Sequence, residues 1–185
     1  MTDILYDSLM TCPIVKKGEY NYFVHPLTDG IPVIDPALLK AAAKGLVRVM
    51  ELNDAQGSVD YILGCEAMGI PISVAVSFVT NIPVIVVRKR EYGLPGEVPV
   101  SQTTGYSKGN LYLNGVKAGD RVVIVDDVIS TGGTTRALLD SLAQIGAIVV
   151  DIGFVFSKGP VDIGYPYKVL YEVAVTDSVQ VVRSF

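Results

Sequence analysis

The chain has 185 residues, half of them hydrophobic, with 15 basic and 19 acidic side chains and a net charge of −4. That length suits one domain with a substantial core, and the acidic balance argues against a nucleic-acid-binding protein, which needs a basic surface. No run approaches about 18 uninterrupted apolar residues and the acidic amino-terminal segment has no long apolar stretch, so a cytoplasmic protein with no membrane partner is expected.

Residues 3–11 read as a short helix stopped before Pro13. Residues 18–35 hold Gly18, Pro26, Gly30 and Pro32 among several aromatics and read as irregular chain or a β-hairpin, not a helix. From Pro36 to about Leu52 an Ala- and Leu-rich stretch predicts a helix with Pro in its first turn; its apolar side holds Leu38, Leu39, Ala42, Leu46 and Val49. A strand follows at 59–64, then a helix over 69–79 and a second strand at 82–87. Residues 88–109 are charged and rich in Gly and Pro. They read as a mobile loop or an excursion of two weakly paired strands, and a connection this long is uncommon unless functional. A third strand is expected at 121–126, a helix at 133–144 stopped by Gly146, a fourth strand at 148–156 and a fifth at 168–175. Strands and helices alternate, so the fold class is α/β, a mostly parallel twisted sheet with helices on both faces. Residues 13–35 and 157–167 fit that sheet poorly and are candidates for a small irregular hood over the strand ends. Otherwise no role is read from the final 25 residues. Cys12 and Cys65 lack CxxC or metal-type neighbours and read as buried or incidental thiols.

The most informative stretch is Arg121-Val-Val-Ile-Val-Asp-Asp-Val-Ile-Ser-Thr-Gly-Gly-Thr-Thr135. A buried strand, Val122 to Val125, leads into two carboxylates, Asp126 and Asp127. Ser130, Thr131, Gly132, Gly133 and Thr134 then stand where a helix begins. Ligands of open α/β sheets bind beyond the carboxyl ends of strands. Free N–H groups at a helix N-terminus favour a phosphate there, and glycine lets the backbone wrap it closely. A phosphate beside two carboxylates points to a sugar phosphate whose hydroxyls the acids grip. The competing reading, an ordinary polar turn, does not account for the acid pair and the hydroxyl-Gly-Gly-hydroxyl loop together.

This segment closely resembles the phosphate and pyrophosphate-donor signature of type I phosphoribosyltransferases. The resemblance implies their fold, phosphoribosyl pyrophosphate as donor, and Mg²⁺ held near Asp126 and Asp127 through substrate and water, with no direct protein ligand set. It implies that Asp127 and Asp126 serve the ribose and its developing positive charge. Arg88-Lys-Arg-Glu-Tyr-Gly-Leu-Pro-Gly-Glu97 resembles the Leu-Pro-Gly loop of adenine-type members, which closes over the site; Arg88 and Lys89 would neutralise the leaving group. Cys65-Glu-Ala-Met-Gly-Ile-Pro71 resembles the pyrophosphate-binding loop, assigning Glu66, Ala67, Met68 and Gly69 to substrate. Many adenine-type members carry Arg where Met68 stands, so pyrophosphate binding must draw on Arg88, Lys89 or a neighbouring subunit. Gly105-Tyr-Ser-Lys-Gly109 resembles a Glu-Tyr-Gly-Lys segment. Tyr106 and Lys108 match, but Gly105 replaces the acidic residue, leaving Glu97, water or main chain for proton traffic.

Lys158, after the fourth strand, corresponds to a lysine of oxopurine enzymes that donates to the 6-oxygen; lysine offers donors and no acceptor, which opposes the 6-amino group of adenine. Tyr22-Phe-Val-His-Pro-Leu-Thr-Asp-Gly-Ile-Pro32 is similar to the hood of archaeal hypoxanthine/guanine phosphoribosyltransferases. There Phe23 or a neighbouring aromatic would stack on the purine and backbone groups around Val24 would read its edge, while His25 holds the loop. The resemblance, best to that archaeal group over 13–160, implies one domain over 1–185 with a hood at about 13–35, a flexible loop at about 88–109, and a homodimer. It implies conversion of hypoxanthine, and guanine, to the 5′-monophosphate. An adenine phosphoribosyltransferase and a non-catalytic ligand-sensing regulator are the alternatives.

Overall fold

The computed structural model describes residues 3–18, 20–55, 57–101 and 110–185. In chain order, Asp3 caps α1 (Ile4–Thr11) by accepting the Leu5 N–H at 3.0 Å. The hairpin β1 (Ile14–Lys17) and β2 (Tyr20–Phe23) follows, and then a one-turn helix, α2 (Pro26–Asp29), where only irregular chain or hairpin was expected. It forms because the His25 side chain caps it and Pro26 supplies a preset first turn. Asp35 caps α3 (Pro36–Val49), which ends a turn earlier than expected in a 3₁₀ segment at Leu52–Asp54. Leu38, Ala42, Ala43, Leu46 and Val47 form its buried stripe, with Leu39 and Val49 at its margins.

The sheet is built from β3 (Tyr61–Cys65), β4 (Val84–Val87), β7 (Arg121–Ile129), β8 (Ile148–Ser157), β9 (Lys168–Val175) and β10 (Val179–Ser184), with the hairpin β5 (Val98–Ser101) and β6 (Asn110–Leu113) beside it. α4 (Gly69–Thr80) connects β3 to β4, and α5 (Gly133–Ile145) connects β7 to β8. Strand order is β10-β9-β8-β7-β3-β4, all pairs parallel except β10 on β9. Apolar residues of α1, α3 and α4 pack on one face, with Ile62, Val123 and Val125. α5 and the β5–β6 hairpin cover the other, with Leu63, Val122 and Ile124. Both faces are buried, as continuous Val/Ile runs require of a parallel sheet.

Three segments bear comparison with the sequence expectation. β7 does not stop at the acid pair: Asp126 pairs with Phe154, and Ile129 with Ser157, because β8 is equally long and keeps the backbone paired. The described part of 88–109 takes the two-strand form, and it is anchored, since Val100, Leu111 and Leu113 are buried against α5's side of the sheet. β10 is an antiparallel edge in the stretch where no functional feature was readable.

Candidate active site

β7 ends at Ile129, and Ser130–Gly132 turn the chain into α5. Gly132 has φ +72°, and a Cβ there would lie 2.6 Å from Ile163 Cγ2 and 2.8 Å from Val161 Cγ1. Glycine is therefore demanded both by conformation and by space. The N-cap of α5 is Gly132, which has no side chain to cap the helix, and a helix start of this kind favours a negatively charged ligand. The turn and the β3–α4 loop enclose a pocket of about 230 Å³, lined by Cys65–Met68 on one side and Asp126–Thr135 on the other. Ser130, Thr131, Gly132, Gly133 and Thr134 thus share one cavity with Glu66, Ala67 and Met68; Gly69 lies just behind it.

The acid pair is held tightly. Asp126 Oδ1 accepts the Asp127 N–H at 3.0 Å, and the Cys65 thiol hydrogen-bonds the same carboxylate. A Cβ on Gly69 would stand 2.5 Å from Asp126 Oδ1, so the start of α4 approaches the carboxylate only as glycine. Burial, and then the Asp126 charge, push Asp127 up to about 9; burial raises Asp126 as well. Burial and the adjacent acids also push the Cys65 thiol well up, which makes it an inert hydrogen-bond donor. Two crowded carboxylates of this kind call for a proton or a cation. Among the described residues no cluster of three or more His, Cys, Asp or Glu could hold a metal alone. The two adjacent carboxylates are hard oxygen donors of the kind a divalent cation takes.

Arg88 follows β4, and its Nε lies 2.9 Å from Glu66 Oε2 as a charge contact rather than an aligned hydrogen bond. The Lys89 N–H donates to the same Glu66 oxygen at 3.1 Å. That hydrogen bond, with the charge of Arg88 behind it, holds the Glu66 carboxyl below the usual range. Glu66 thus ties the β3–α4 loop to the cations expected to meet pyrophosphate. The Met68 side chain lies against the hood, its Sδ 3.8 Å from where a Cβ on Gly30 would stand, and brings no cation to the loop.

At the other wall the Lys158 ammonium lies 5.1 Å from the Tyr22 ring centre and 5.3 Å from that of Phe23. Burial lowers its proton affinity, and Asp29 and Asp127 act against that. Phe23 is only 4 % exposed and meets Phe156 edge to face at 5.8 Å; Tyr22, at 43 %, carries the open ring. The Val24 N–H is committed to the Pro13 carbonyl at 2.9 Å, so that donor does not read a base edge. His25 Nδ1 accepts the Leu27 N–H at 3.1 Å, so the proton sits on Nε2, 2.9 Å from Ser8 Oγ, which itself donates to the Leu5 carbonyl. His25 is a fully buried hood brace, as expected. Glu97, considered for proton traffic, instead accepts from the Tyr92 and Gly93 N–H groups and from Asn114, and ties down the Leu-Pro-Gly turn. Tyr106, Lys108 and Gly105 lie outside the described residues. Sequence reasoning missed Cys65 and Asp29 as parts of this site, whereas the neighbouring aromatic it allowed beside Phe23 is Tyr22.

Residues 35–181 match the family model described as phosphoribosyl transferase domain. The hypoxanthine/guanine phosphoribosyltransferase of Methanospirillum hungatei is 58% identical over 182 residues, covering 98% of each chain. That of Methanosphaerula palustris is 54% identical with the same coverage. Among solved structures, adenine phosphoribosyltransferase from Rhodothermus marinus aligns with a TM-score of 0.70 over 91% of this chain and 97% of its own; at 21% identity the likeness is one of fold. An acid pair leading into an uncapped glycine turn, on a mostly parallel sheet, is the arrangement of an enzyme acting on a phosphorylated sugar. This chain belongs to the phosphoribosyltransferase family.

Proposed function

We propose that the chain transfers the phosphoribosyl group of phosphoribosyl pyrophosphate to hypoxanthine or guanine, giving IMP or GMP and pyrophosphate. The observation that carries the choice of base is Lys158, a donor without an acceptor, set beside the hood aromatics and within the field of Asp127. It suits a 6-oxo group and leaves a 6-amino group facing a donor, a mismatch that costs heavily in a desolvated site. The curated relatives at 58% and 54% identity bear the hypoxanthine/guanine name.

In this reading Ser130–Thr134 hold the 5′-phosphate through hydroxyls and N–H groups, and Asp126 and Asp127 face the ribose hydroxyls. Attack of a purine nitrogen on C1 forms the C–N bond, breaks the C1–O bond to pyrophosphate through an oxocarbenium-like state, and releases the nitrogen's proton to water. Asp127, fixed on paired backbone, stabilises the positive charge, and Arg88 and Lys89 receive the negative one. Arg88 must exchange Glu66 for the leaving group. Asp126 and Asp127 would hold Mg²⁺ with the donor, and the ion would supply charge neutralisation. The hood over 13–35 and the loop over 88–109 belong to one phosphoribosyltransferase domain, with Tyr106 and Lys108 in the loop. The enzyme works in the cytoplasm as a homodimer joined along α4, an apolar helix that leaves Val74, Phe78 and Val79 exposed at 37, 83 and 40 %. Lys158→Ala tests the choice of base. Hypoxanthine turnover is expected to fall by roughly a hundredfold with donor affinity retained; unchanged hypoxanthine kinetics would remove Lys158 from base recognition.

A further inference from the structure

We infer that Arg136, on the opposite side of the phosphate turn from the pocket, is a positioning residue for that turn, a role that rests on the functional reading above. Arg136 is the fourth residue of α5, and its own N–H closes the first helical turn on the Gly132 carbonyl at 2.9 Å. Its guanidinium makes two short hydrogen bonds to main chain. Nη2 donates to the Thr131 carbonyl at 2.7 Å and Nη1 to the Asp162 carbonyl at 2.6 Å. Both are charge-assisted, and the planar fork sets their direction.

The consequence lies in the Thr131–Gly132 peptide. In a planar trans peptide the C=O and the following N–H point in opposite directions. With the Thr131 carbonyl drawn to Arg136, the Gly132 N–H is turned the other way, to the side that lines the pocket. Gly132, which has no side chain, rests against Val161 and Ile163, so the turn cannot back away from this orientation. The second bond joins the turn to the 158–164 segment, whose first residue is Lys158. One side chain therefore fixes the phosphate subsite and ties it to the segment that carries the base-facing lysine. The positive charge close behind the turn also favours a dianionic phosphate in front of it.

The test is titration calorimetry of the full chain with ribose 5-phosphate and, separately, with Mg²⁺-pyrophosphate, for wild type, Arg136→Met and Arg136→Lys. The loss of both bonds in Arg136→Met is expected to weaken ribose 5-phosphate about tenfold while pyrophosphate stays within about twofold, and KM for the donor rises in step. Arg136→Lys, able to serve one carbonyl, is expected to fall between. Wild-type affinity for ribose 5-phosphate in Arg136→Met overturns the inference. So does an equal loss for both ligands, which marks general loosening. A wild-type protein that binds neither ligand overturns the functional reading, and this inference with it.

Discussion

The closest tolerances in the site lie around the acid pair, where Gly69, Cys65 and the Asp127 N–H all press on Asp126. Gly69→Ala puts a methyl within 2.5 Å of a carboxylate oxygen, and something must shift. Displacement of about 1 Å at a reacting group costs on the order of a hundredfold in rate, and that loss in kcat is expected for Gly69→Ala with the melting temperature little changed. A variant with wild-type kcat would show that the Asp126 position is not critical. Asp127→Asn separates chemistry from stability. It replaces a carboxyl that burial and the Asp126 charge make costly to ionise, so thermal stability is expected to hold or rise while turnover falls by orders of magnitude. Retained turnover would exclude Asp127 from the mechanism. The acid pair and glycine turn were legible because one contiguous segment carries them. Cys65 and Arg136 were not: the Cys65 partner lies some sixty positions along the chain, and the Arg136 partners are carbonyls, which every residue has.

At the scale of elements, α1, α3, α4, α5 and most strands were readable from period and punctuation, and the one-turn α2 was not. The N-caps Asp3 and Asp35 and the stop at Gly146 stand where α1, α3 and α5 begin and end. The end of β7 was misplaced because polar residues look like a strand end, whereas pairing with β8 continues past them. β10 escaped notice because an edge strand depends on main-chain pairing, and only Val179 in it is buried. The hood is tied to α1 through His25 and Ser8. Burial lowers the His25 pKa to about 4, with Asp29 opposing. A group whose folded pKa lies below its unfolded value of 6.5 contributes stability above pH 6.5. That contribution, on the order of 3 kcal/mol, is lost as pH falls through 6.5 toward 4. Protonation would also set an N–H at Nδ1 against the Leu27 N–H. Urea midpoints from pH 7.5 to 4 are expected to fall more steeply for wild type than for His25→Gln; parallel curves would contradict this.

For the whole molecule, the family fold places the acid pair, the cations and the hood at one end of the sheet, and the apolar α4 face stays uncovered on a single chain. Sedimentation of the wild type is expected to give a dimer, and of Phe78→Glu a monomer; a wild-type monomer at micromolar concentration would contradict assembly along α4. The helices among the described residues include none long and apolar enough to cross a membrane. The central claim is that this site joins an oxopurine to phosphoribosyl pyrophosphate. The most direct test is pyrophosphate release with donor and Mg²⁺ while hypoxanthine, guanine, xanthine and adenine are offered separately. Release with hypoxanthine or guanine and none with adenine is the predicted result. Release with adenine alone would overturn the role given to Lys158, and donor binding without release for any base would contradict the enzyme itself.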